Sequence, residues 1–458
     1  MATASPTPLP TAGYPRTADP TPRTPRARRR RVIADACFLL LLWMVLVGTN
    51  PLQEWVLHGE PGSGDAVNQV IYSGLFLLLL LGQGVPTRRE LLCVPLGLAV
   101  AIGYCFVSLS WSIVPLIGFR RAALTAMTVW MVFRIVRDLG PDRTLKRLRQ
   151  MLVVLLILNF LTVYLTPFGI HNDIFSAQTS IFGNWRGIVP HKNVAGAMGA
   201  VTVLLFLFDN RQFRWPTTIA VLASTLVFLY FADARTSQAM MVVGLVAGLA
   251  IRPYDANYRG TMVALLLLGL AIGLQLLSIN MGALTRIVND PTALTGRGAI
   301  WPLLIDYAGQ HPWTGTGFGS FWQVGPDSPI WALDRRSGWV ARSAPHGHNG
   351  YLDLLVTLGF PGLILVVATA ILWPLLQLLL SQSITKPRRS LLLAMLIFCT
   401  GHNLAESSLF NAASVVQVFL LITIAIIHYE SVDAPGLHQQ WRRRIRRLMR
   451  TRARLRPA

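Results

Sequence analysis

Apolar runs of about twenty residues recur along the chain, and they limit its possible folds more than any other feature. A helix needs about 20 apolar residues to cross the hydrocarbon core of a bilayer. We predict twelve spans, at about 33–49, 67–85, 91–109, 120–137, 148–166, 193–209, 217–232, 238–251, 261–279, 350–379, 390–404 and 411–428. The expected fold is an all-α polytopic membrane protein with about 12 transmembrane helices, and Gly359, Pro361 and Gly362 are expected to kink the longest one.

The composition agrees with a membrane protein. Hydrophobic residues make up 53% of the chain and charged residues only 13%, about half the charged fraction of a soluble protein. The four cysteines all fall within apolar runs and have neither the spacing of a disulfide framework nor that of a metal site. We expect no cleavable signal before the first span, because no small-residue cleavage site is evident there.

The distribution of Lys and Arg predicts the orientation. Of the 41 Lys and Arg residues, all but ten fall in alternate segments that include both termini. Because cytoplasmic loops carry the excess of positive charge, both termini are predicted to be cytoplasmic. The one long extracytoplasmic loop is then 280–349, between the ninth and tenth spans, and a loop of this length usually covers or forms a site.

Two polar tails flank the transmembrane region. Residues 1–32 are predicted to be a disordered, basic cytoplasmic tail. Residues 429–458 form an arginine-rich amphipathic tail, in which Trp441, Ile445 and Leu448 recur at helical spacing. This pattern indicates an interfacial helix on the anionic membrane surface rather than a nucleic-acid site.

The ten outward cations are exceptions to the charge bias. They are Arg120, Arg121, Arg186, Lys192, Arg235, Arg286, Arg297, Arg335, Arg336 and Arg342. A cation at the bilayer edge is retained at some cost in free energy. If the adjacent span ends converge, these side chains form an electropositive pocket that suits a lipid-linked phosphate or pyrophosphate. Anchoring to lipid headgroups is the alternative role for each of them.

Two short polar motifs lie at predicted outward span ends. The segment Gly183–Gly196 carries His191 and Lys192 directly before an apolar helix, whose first N–H groups would add to an anion site. An ordinary position at a helix start is the alternative for His191. In the second motif Asp233 precedes Arg235, and an ion pair between them is the alternative to ligand binding by Arg235.

Histidines mark the mouth of the tenth span. His346 and His348 stand where a charged imidazole is poorly solvated, and a neutral imidazole can accept a proton near pH 7. Capping of the helix is the alternative role. Their spacing would also suit zinc, but no carboxylate or Cys is close in sequence, so no metal and no other cofactor is expected. Late in the chain, His402 and Glu406 have the i, i+4 spacing of a helical pair, which could be structural or functional.

Several of these motifs resemble those of one family. His348-Asn349 followed, after nine residues, by Gly359-Phe360-Pro361-Gly362 is similar to the signature of the O-antigen ligase/polymerase family, including its exopolysaccharide-polymerisation branch. The segments 111–115, 191–193, 235–237 and 295–297 also resemble that family's motifs, as does the long loop before the histidine-bearing helix. The resemblance covers about residues 33–428.

The resemblance implies a bacterial inner-membrane glycosyltransferase of the GT-C type, with its site facing the periplasm. Such an enzyme transfers an oligosaccharide from undecaprenyl pyrophosphate to a hydroxyl of a glycan, lipid or protein acceptor, with inversion and without a metal. By motif match, His348 is the predicted base. The predicted pyrophosphate ligands are Arg186, Lys192, Arg235 and Arg297, then Arg120 and Arg121. The predicted supporting residues are His191, His346, Asn349, His402 and Glu406.

Two other classes of protein are the competing interpretations. A transporter or flippase for a lipid-linked or anionic solute would place polar residues near the bilayer midplane, often with repeat symmetry. Here the polar motifs gather at one membrane face. A non-catalytic scaffold would tolerate substitution of any outward arginine. The sequence does not distinguish a ligase from a polymerase.

Overall fold

The structure, a computed structural model, describes residues 24–51, 66–82, 87–172, 181–210, 212–255, 258–279, 297–334, 340–341 and 344–432. Within these ranges the chain is helical, and its only β-type pairing is an isolated bridge between Ile170 and Trp185. The first eight helices are α1 (Pro25–Leu46), α2 (Ala66–Leu81), α3 (Arg88–Leu91), α4 (Leu96–Val107), α5 (Pro115–Leu139), α6 (Pro141–Leu165), α7 (Lys192–Leu207) and α8 (Trp215–Ala232). The others are α9 (Arg235–Ala250), α10 (Arg259–Ile279), α11 (Arg297–Gln310), α12 (Ile330–Leu333), α13 (Gly350–Val367), α14 (Trp373–Leu380), α15 (Lys386–His402) and α16 (Val415–Val432).

Each of the twelve predicted spans overlaps at least one of these helices. Within the described ranges, four helical segments are long and apolar enough to cross a membrane: Pro115–Leu139, Pro141–Leu165, Trp215–Ala232 and Gly350–Leu380. Large apolar side chains such as Leu96, Leu116 and Tyr230 are exposed on the bundle, as expected for a surface that faces lipid. The all-helical fold is therefore confirmed, while the number of spans and the side of each terminus stay predictions.

The first helix begins earlier than the sequence suggested. Residues 25–32 are helical, although they belong to the segment predicted to be disordered. Thr24 caps this helix by accepting a hydrogen bond from the N–H of Ala27, and Arg30 forms an ion pair with Glu90. These contacts explain why the basic segment is ordered. The predicted amphipathic helix around Trp441 lies outside the described residues.

The predicted kink of the longest apolar segment is confirmed. Gly359 lies inside α13 with φ 65° and ψ −175°, a conformation outside the helical range. At this break the N–H of Phe360 donates to the carbonyl oxygen of Pro312, at 2.8 Å. A Cβ at position 359 would lie 2.5 Å from the backbone of Trp313, so glycine is required by both conformation and space.

The long loop before α13 folds against that helix. The N–H of Thr316 donates to the carbonyl oxygen of Val356, at 3.0 Å, so the backbones of the loop and the helix approach closely. Side chains of the loop and of α11 form a small core of their own that includes Leu304, Phe321 and Trp322. The loop is therefore a packed layer over the start of α13.

Close packing of α7, α9 and α15 determines where the polar site forms. A Cβ at Gly244 or Gly248 of α9 would come within 3 Å of a carbonyl oxygen of α15, so the two helices touch through their backbones. At Gly196 of α7, an added Cβ would lie 2.2 Å from the side chain of Ala234. The antiparallel arrangement of α9 and α15 brings the beginnings of α7 and α9 to the end of α15.

Candidate functional site

Four helix beginnings and one turn meet at the same end of the bundle. The helices are α7, α9, α11 and α13, and the turn follows α15. Asn403 shapes this turn, because its Oδ1 accepts hydrogen bonds from the N–H groups of Ser408 and Leu409, both at 2.9 Å. Four N-terminal helix ends also contribute positive electrostatic potential.

Glu406 is the centre of the hydrogen-bond network. Its Oε1 accepts from Asn193 Nδ2 and from Arg297 Nη2, both at 3.0 Å, and its Oε2 lies 3.2 Å from His348 Nδ1. Burial alone would raise the pKa of this carboxyl, but the hydrogen bond with His348 and the nearby positive charges outweigh burial and lower the pKa to about 2. The carboxylate is therefore ionised at neutral pH and can only accept hydrogen bonds.

The ionised carboxylate determines the tautomer of His348. Because Glu406 can only accept, Nδ1 of His348 carries the proton, and Nε2 of the neutral ring is an acceptor. The side chain of His348 is 30% exposed, so its ring can reach a substrate. His348 also has φ 49°, a region that non-glycine residues enter at a cost of about 1–3 kcal/mol and that is common at functional sites.

The backbone around His348 is held by its neighbours. The N–H of His348 donates to His346 Nδ1 at 3.2 Å, and Asn349 Oδ1 caps α13 by accepting from Tyr351 N at 3.0 Å. Asp353 accepts from the N–H of Gly347 at 3.1 Å. His346 and Asn349 thus hold the backbone on either side of His348. Sequence reasoning missed Asp353, although an acid in the first turn of an apolar helix was a visible signal.

Two buried imidazoles cap α7. The N–H of Lys192 donates to His171 Nε2 at 3.2 Å, and the N–H of Asn193 donates to His191 Nδ1 at 3.1 Å. Burial, together with neighbouring cations, lowers the pKa of His171 to about 3 and that of His191 to about 4. The expectation that these two N–H groups face a ligand is wrong, because the imidazoles accept their hydrogen bonds. His171 was missed in the sequence.

Three predicted cations lie around this network. Arg297 pairs with Glu406 and is largely buried. Lys192 Nζ donates to the carbonyl oxygen of Asp233 at 3.1 Å, and Arg235 Nε lies 3.2 Å from the carboxylate of the same residue. The Arg235 side chain is 83% exposed, so its ion pair leaves most of the guanidinium facing outward.

Other predicted cations bind backbone carbonyl groups. Arg186 is buried, and its Nε donates to the carbonyl oxygen of Phe168 at 2.8 Å. Arg121 donates to the carbonyl oxygens of Gly319 and Trp322 in the long loop, and Arg120 is half-buried beside it. These contacts are structural, and a role for these arginines in pyrophosphate binding stays a prediction. The predicted cations Arg286, Arg335, Arg336 and Arg342 lie outside the described residues.

The predicted i, i+4 pair of His402 and Glu406 is not formed as a helical pair. Helix α15 ends at His402, so Glu406 lies in the following turn. His402 Nε2 is hydrogen-bonded to Ser237 Oγ at 3.1 Å. His402 therefore links α15 to α9, while Glu406 is hydrogen-bonded to His348.

The site also contains a group of potential metal ligands. One ligand atom each from His346, His348 and Glu406 lie within 4.8 Å of one another. The sequence argument against a metal relied on the lack of a nearby carboxylate, and the fold supplies one from 58 residues away. The surrounding positive charges of Arg297 and Lys192 oppose the binding of a divalent cation.

Comparison with known proteins identifies one region of the chain. Residues 218–367 match the family model described as O-antigen ligase. This range runs from α8 to α13 and includes Arg235, Arg297 and His348, whereas Lys192 and Glu406 lie outside it. No curated protein matches the chain.

The family match agrees with the architecture. The apolar helices and the O-antigen ligase family together indicate a multi-pass membrane protein. The family suggests a glycosyltransferase-type function that uses, in general, lipid-linked oligosaccharide donors and glycan acceptors. The match confirms the resemblance found in the sequence, since residues 218–367 are similar to the O-antigen ligase family.

Proposed function

We propose that this protein transfers an oligosaccharide from undecaprenyl pyrophosphate to an acceptor hydroxyl, as a ligase or a polymerase, in the bacterial inner membrane. The proposal includes twelve spans within residues 33–428, cytoplasmic termini and a site that faces the periplasm. The observation that carries it is the hydrogen bond between His348 Nδ1 and Glu406, in a histidine whose side chain is 30% exposed. This pair lies among cations at one end of an apolar bundle.

The pair suits general base catalysis. Glu406 orients His348 and stabilises the imidazolium that forms, while Nε2 takes the proton of the acceptor hydroxyl. The acceptor oxygen attacks the anomeric carbon and forms the new glycosidic bond. The bond from that carbon to the pyrophosphate oxygen breaks in the same displacement, and its electron pair leaves with the lipid pyrophosphate. A single displacement of this kind inverts the anomeric centre.

Cations around the pair suit the leaving group. Negative charge grows on the oxygen that joined the anomeric carbon to the pyrophosphate as this bond breaks, and fixed positive groups near it lower the barrier. Arg297, Lys192 and Arg235 are the candidates that the contacts favour. Arg297 already pairs with Glu406, so donor binding and base orientation are linked through this arginine.

The proposed reaction needs no metal, because the cations supply the positive charge that a metal would otherwise contribute. We expect a chelator such as EDTA to leave the transfer rate unchanged. Loss of activity on chelation, with recovery on adding back a metal, would contradict a metal-independent reaction.

A reconstituted transfer assay tests the proposal. The purified chain in proteoliposomes receives a lipid-linked oligosaccharide and an acceptor, and the covalent product is quantified. His348→Ala should reduce the rate by about 10²–10⁴-fold, the usual contribution of a general base. His311→Ala is the matched control, since that exposed histidine makes a T-shaped contact with the ring of Tyr307 in the long loop. Movement of the lipid across the bilayer without a covalent product would support a flippase instead.

A further inference from the structure

A second polar cavity lies at the opposite end of α15 from Glu406. The helix has 17 residues, so the two sites are about 25 Å apart at 1.5 Å per residue. The cavity has a volume of about 360 Å³, and its lining includes Tyr254, Thr385, Lys386 and Arg389. None of these residues takes part in the proposed transfer reaction.

Two adjacent arginines at the start of α15 have different surroundings. Arg388 binds three carboxylates, those of Asp142, Asp209 and Glu430. Arg389 points to the cavity side, where its guanidinium lies 5.1 Å from the ring centre of Tyr254 and donates from Nη2 to the carbonyl oxygen of Ser381.

Arg389 retains an unused hydrogen-bond donor. The residue is 5% exposed, and its Nε is buried without a hydrogen-bond partner. A buried donor left unpaired destabilises a protein. A ligand with acceptor oxygens would satisfy this group, and the positive charge of Arg389 favours an anionic ligand.

The start of α15 provides further positive potential. Thr385 occupies the N-cap position, but its side chain makes no capping hydrogen bond. Helix N-termini attract anions through their N–H groups and the helix dipole. Lys386 is exposed at the rim of the cavity, and Asp255 contributes one negative charge to the lining. Lys386, Arg389 and the helix end together outweigh that charge.

We infer that this cavity binds a phosphate group, supplied either by the headgroup of an anionic phospholipid or by a soluble phosphate compound. Guanidinium N–H groups form strong hydrogen bonds with phosphate oxygens. The Lys and Arg bias assigns this end of the bundle to the cytoplasm, where anionic headgroups concentrate beside basic residues. The inference does not depend on the chemistry proposed for the opposite end.

Binding measurements on the full chain in neutral detergent test this inference. The probes are short-chain phosphatidylglycerol, diacylglycerol of the same chain length and inorganic phosphate, each followed by thermal stabilisation and by native mass spectrometry. The wild-type chain should bind phosphatidylglycerol or inorganic phosphate saturably, and diacylglycerol should not bind. Arg389→Gln and Lys386→Gln should each weaken this affinity about tenfold.

Lys146→Gln is the matched control, because Lys146 is an exposed lysine at the same end of the bundle but outside the cavity. Lys386→Gln keeps the test valid if Arg389→Gln fails to fold. Saturation by phosphatidylglycerol alone identifies a headgroup site, and saturation by inorganic phosphate identifies a soluble phosphate site. The inference is overturned if neither probe binds saturably, or if both cavity variants bind like the wild type and Lys146→Gln.

Discussion

The two ends of the bundle differ in how their charged side chains are paired. At the end that contains the start of α15, acids and arginines pair with each other: Arg388 binds three carboxylates, and Asp35 binds Arg143 and Arg147. At the other end, the carboxylate of Glu406 lies close to Arg297 and His348, and Lys192 and Arg235 lie nearby. Paired charges hold helices together, whereas positive charge in excess of its partners is suited to an anionic ligand.

A large effect is expected from Glu406→Gln, because this change removes the carboxylate that pairs with His348 without changing side-chain size. The neutral amide no longer fixes the tautomer of His348 or stabilises its imidazolium. The transfer rate should fall about 10²-fold or more, while donor affinity stays close to that of the wild type. Single-turnover kinetics and a separate donor-binding assay measure the two quantities. A rate within about twofold of the wild type would show that the pair is not catalytic.

A substitution at the opposite end, where the acids and arginines are paired, should change mainly the stability of the protein. Arg388→Met leaves three carboxylates without their shared partner, and breaking such a buried pair costs about 3–5 kcal/mol. We expect a lower thermal unfolding temperature in detergent, with the transfer rate per folded molecule unchanged. Arg235→Ala is the control at the other end, since exposed ion pairs contribute at most about 1 kcal/mol. If Arg388→Met and Arg235→Ala lowered the unfolding temperature equally, the two ends would not differ in how charge pairs contribute to stability.

A smaller effect should distinguish cations that bind the donor from cations that stabilise the fold, at the end of the bundle that contains Glu406. Arg235→Ala should weaken binding of the lipid pyrophosphate donor about tenfold with little change in stability, because its guanidinium is exposed beside Lys192. Arg186→Ala should mainly lower stability, because Arg186 is buried on carbonyl groups. Binding isotherms and thermal unfolding of both variants provide the comparison. The opposite pattern would make Arg186 the ligand.

The smallest expected effect is on the pH dependence of stability. The folded chain keeps the pKa of His171 at about 3 and that of His191 at about 4, below about 6.5 in unfolded chains. The unfolded state therefore binds more protons as the pH falls below about 6.5, and stability falls with it. Glu406 acts at lower pH, because its contribution is present above about 4.5 and is lost as the pH falls toward about 2.

His171→Gln tests this pH dependence. The amide oxygen can still accept the hydrogen bond from the N–H of Lys192, but it does not titrate. The loss of unfolding temperature between pH 7.5 and pH 5 should be smaller in the variant than in the wild type. Identical losses would mean that His171 does not contribute.

Apolar periodicity predicted the helices well, because a span must be long and hydrophobic wherever it lies in the fold. Each of the twelve predicted segments overlaps a helix. The kink at Gly359 was also predicted correctly, because its conformation is available mainly to glycine. The start of helix α1 was predicted too far along the chain, because the order of its first residues depends on an ion pair between Arg30 and the distant Glu90.

The site was only partly predictable. His348 and Arg297 stand out as polar residues beside apolar helices, but the partner of His348 is 58 residues away, and nothing in the local sequence pairs it with Glu406. The i, i+4 spacing instead suggested that Glu406 pairs with His402. Arg186 looked equivalent to Arg235 in sequence, and only tertiary contacts show that one is buried and the other exposed.

Donor binding measured apart from transfer tests the central claim most directly, namely that cations bind the lipid pyrophosphate beside a separate imidazole base. His348→Ala should bind the lipid-linked donor within about threefold of the wild-type affinity. A double variant, Lys192→Ala with Arg235→Ala, should bind it about 10²-fold more weakly, at about tenfold for each lost charge-assisted contact. Loss of binding in His348→Ala together with full binding in the double variant would contradict the account.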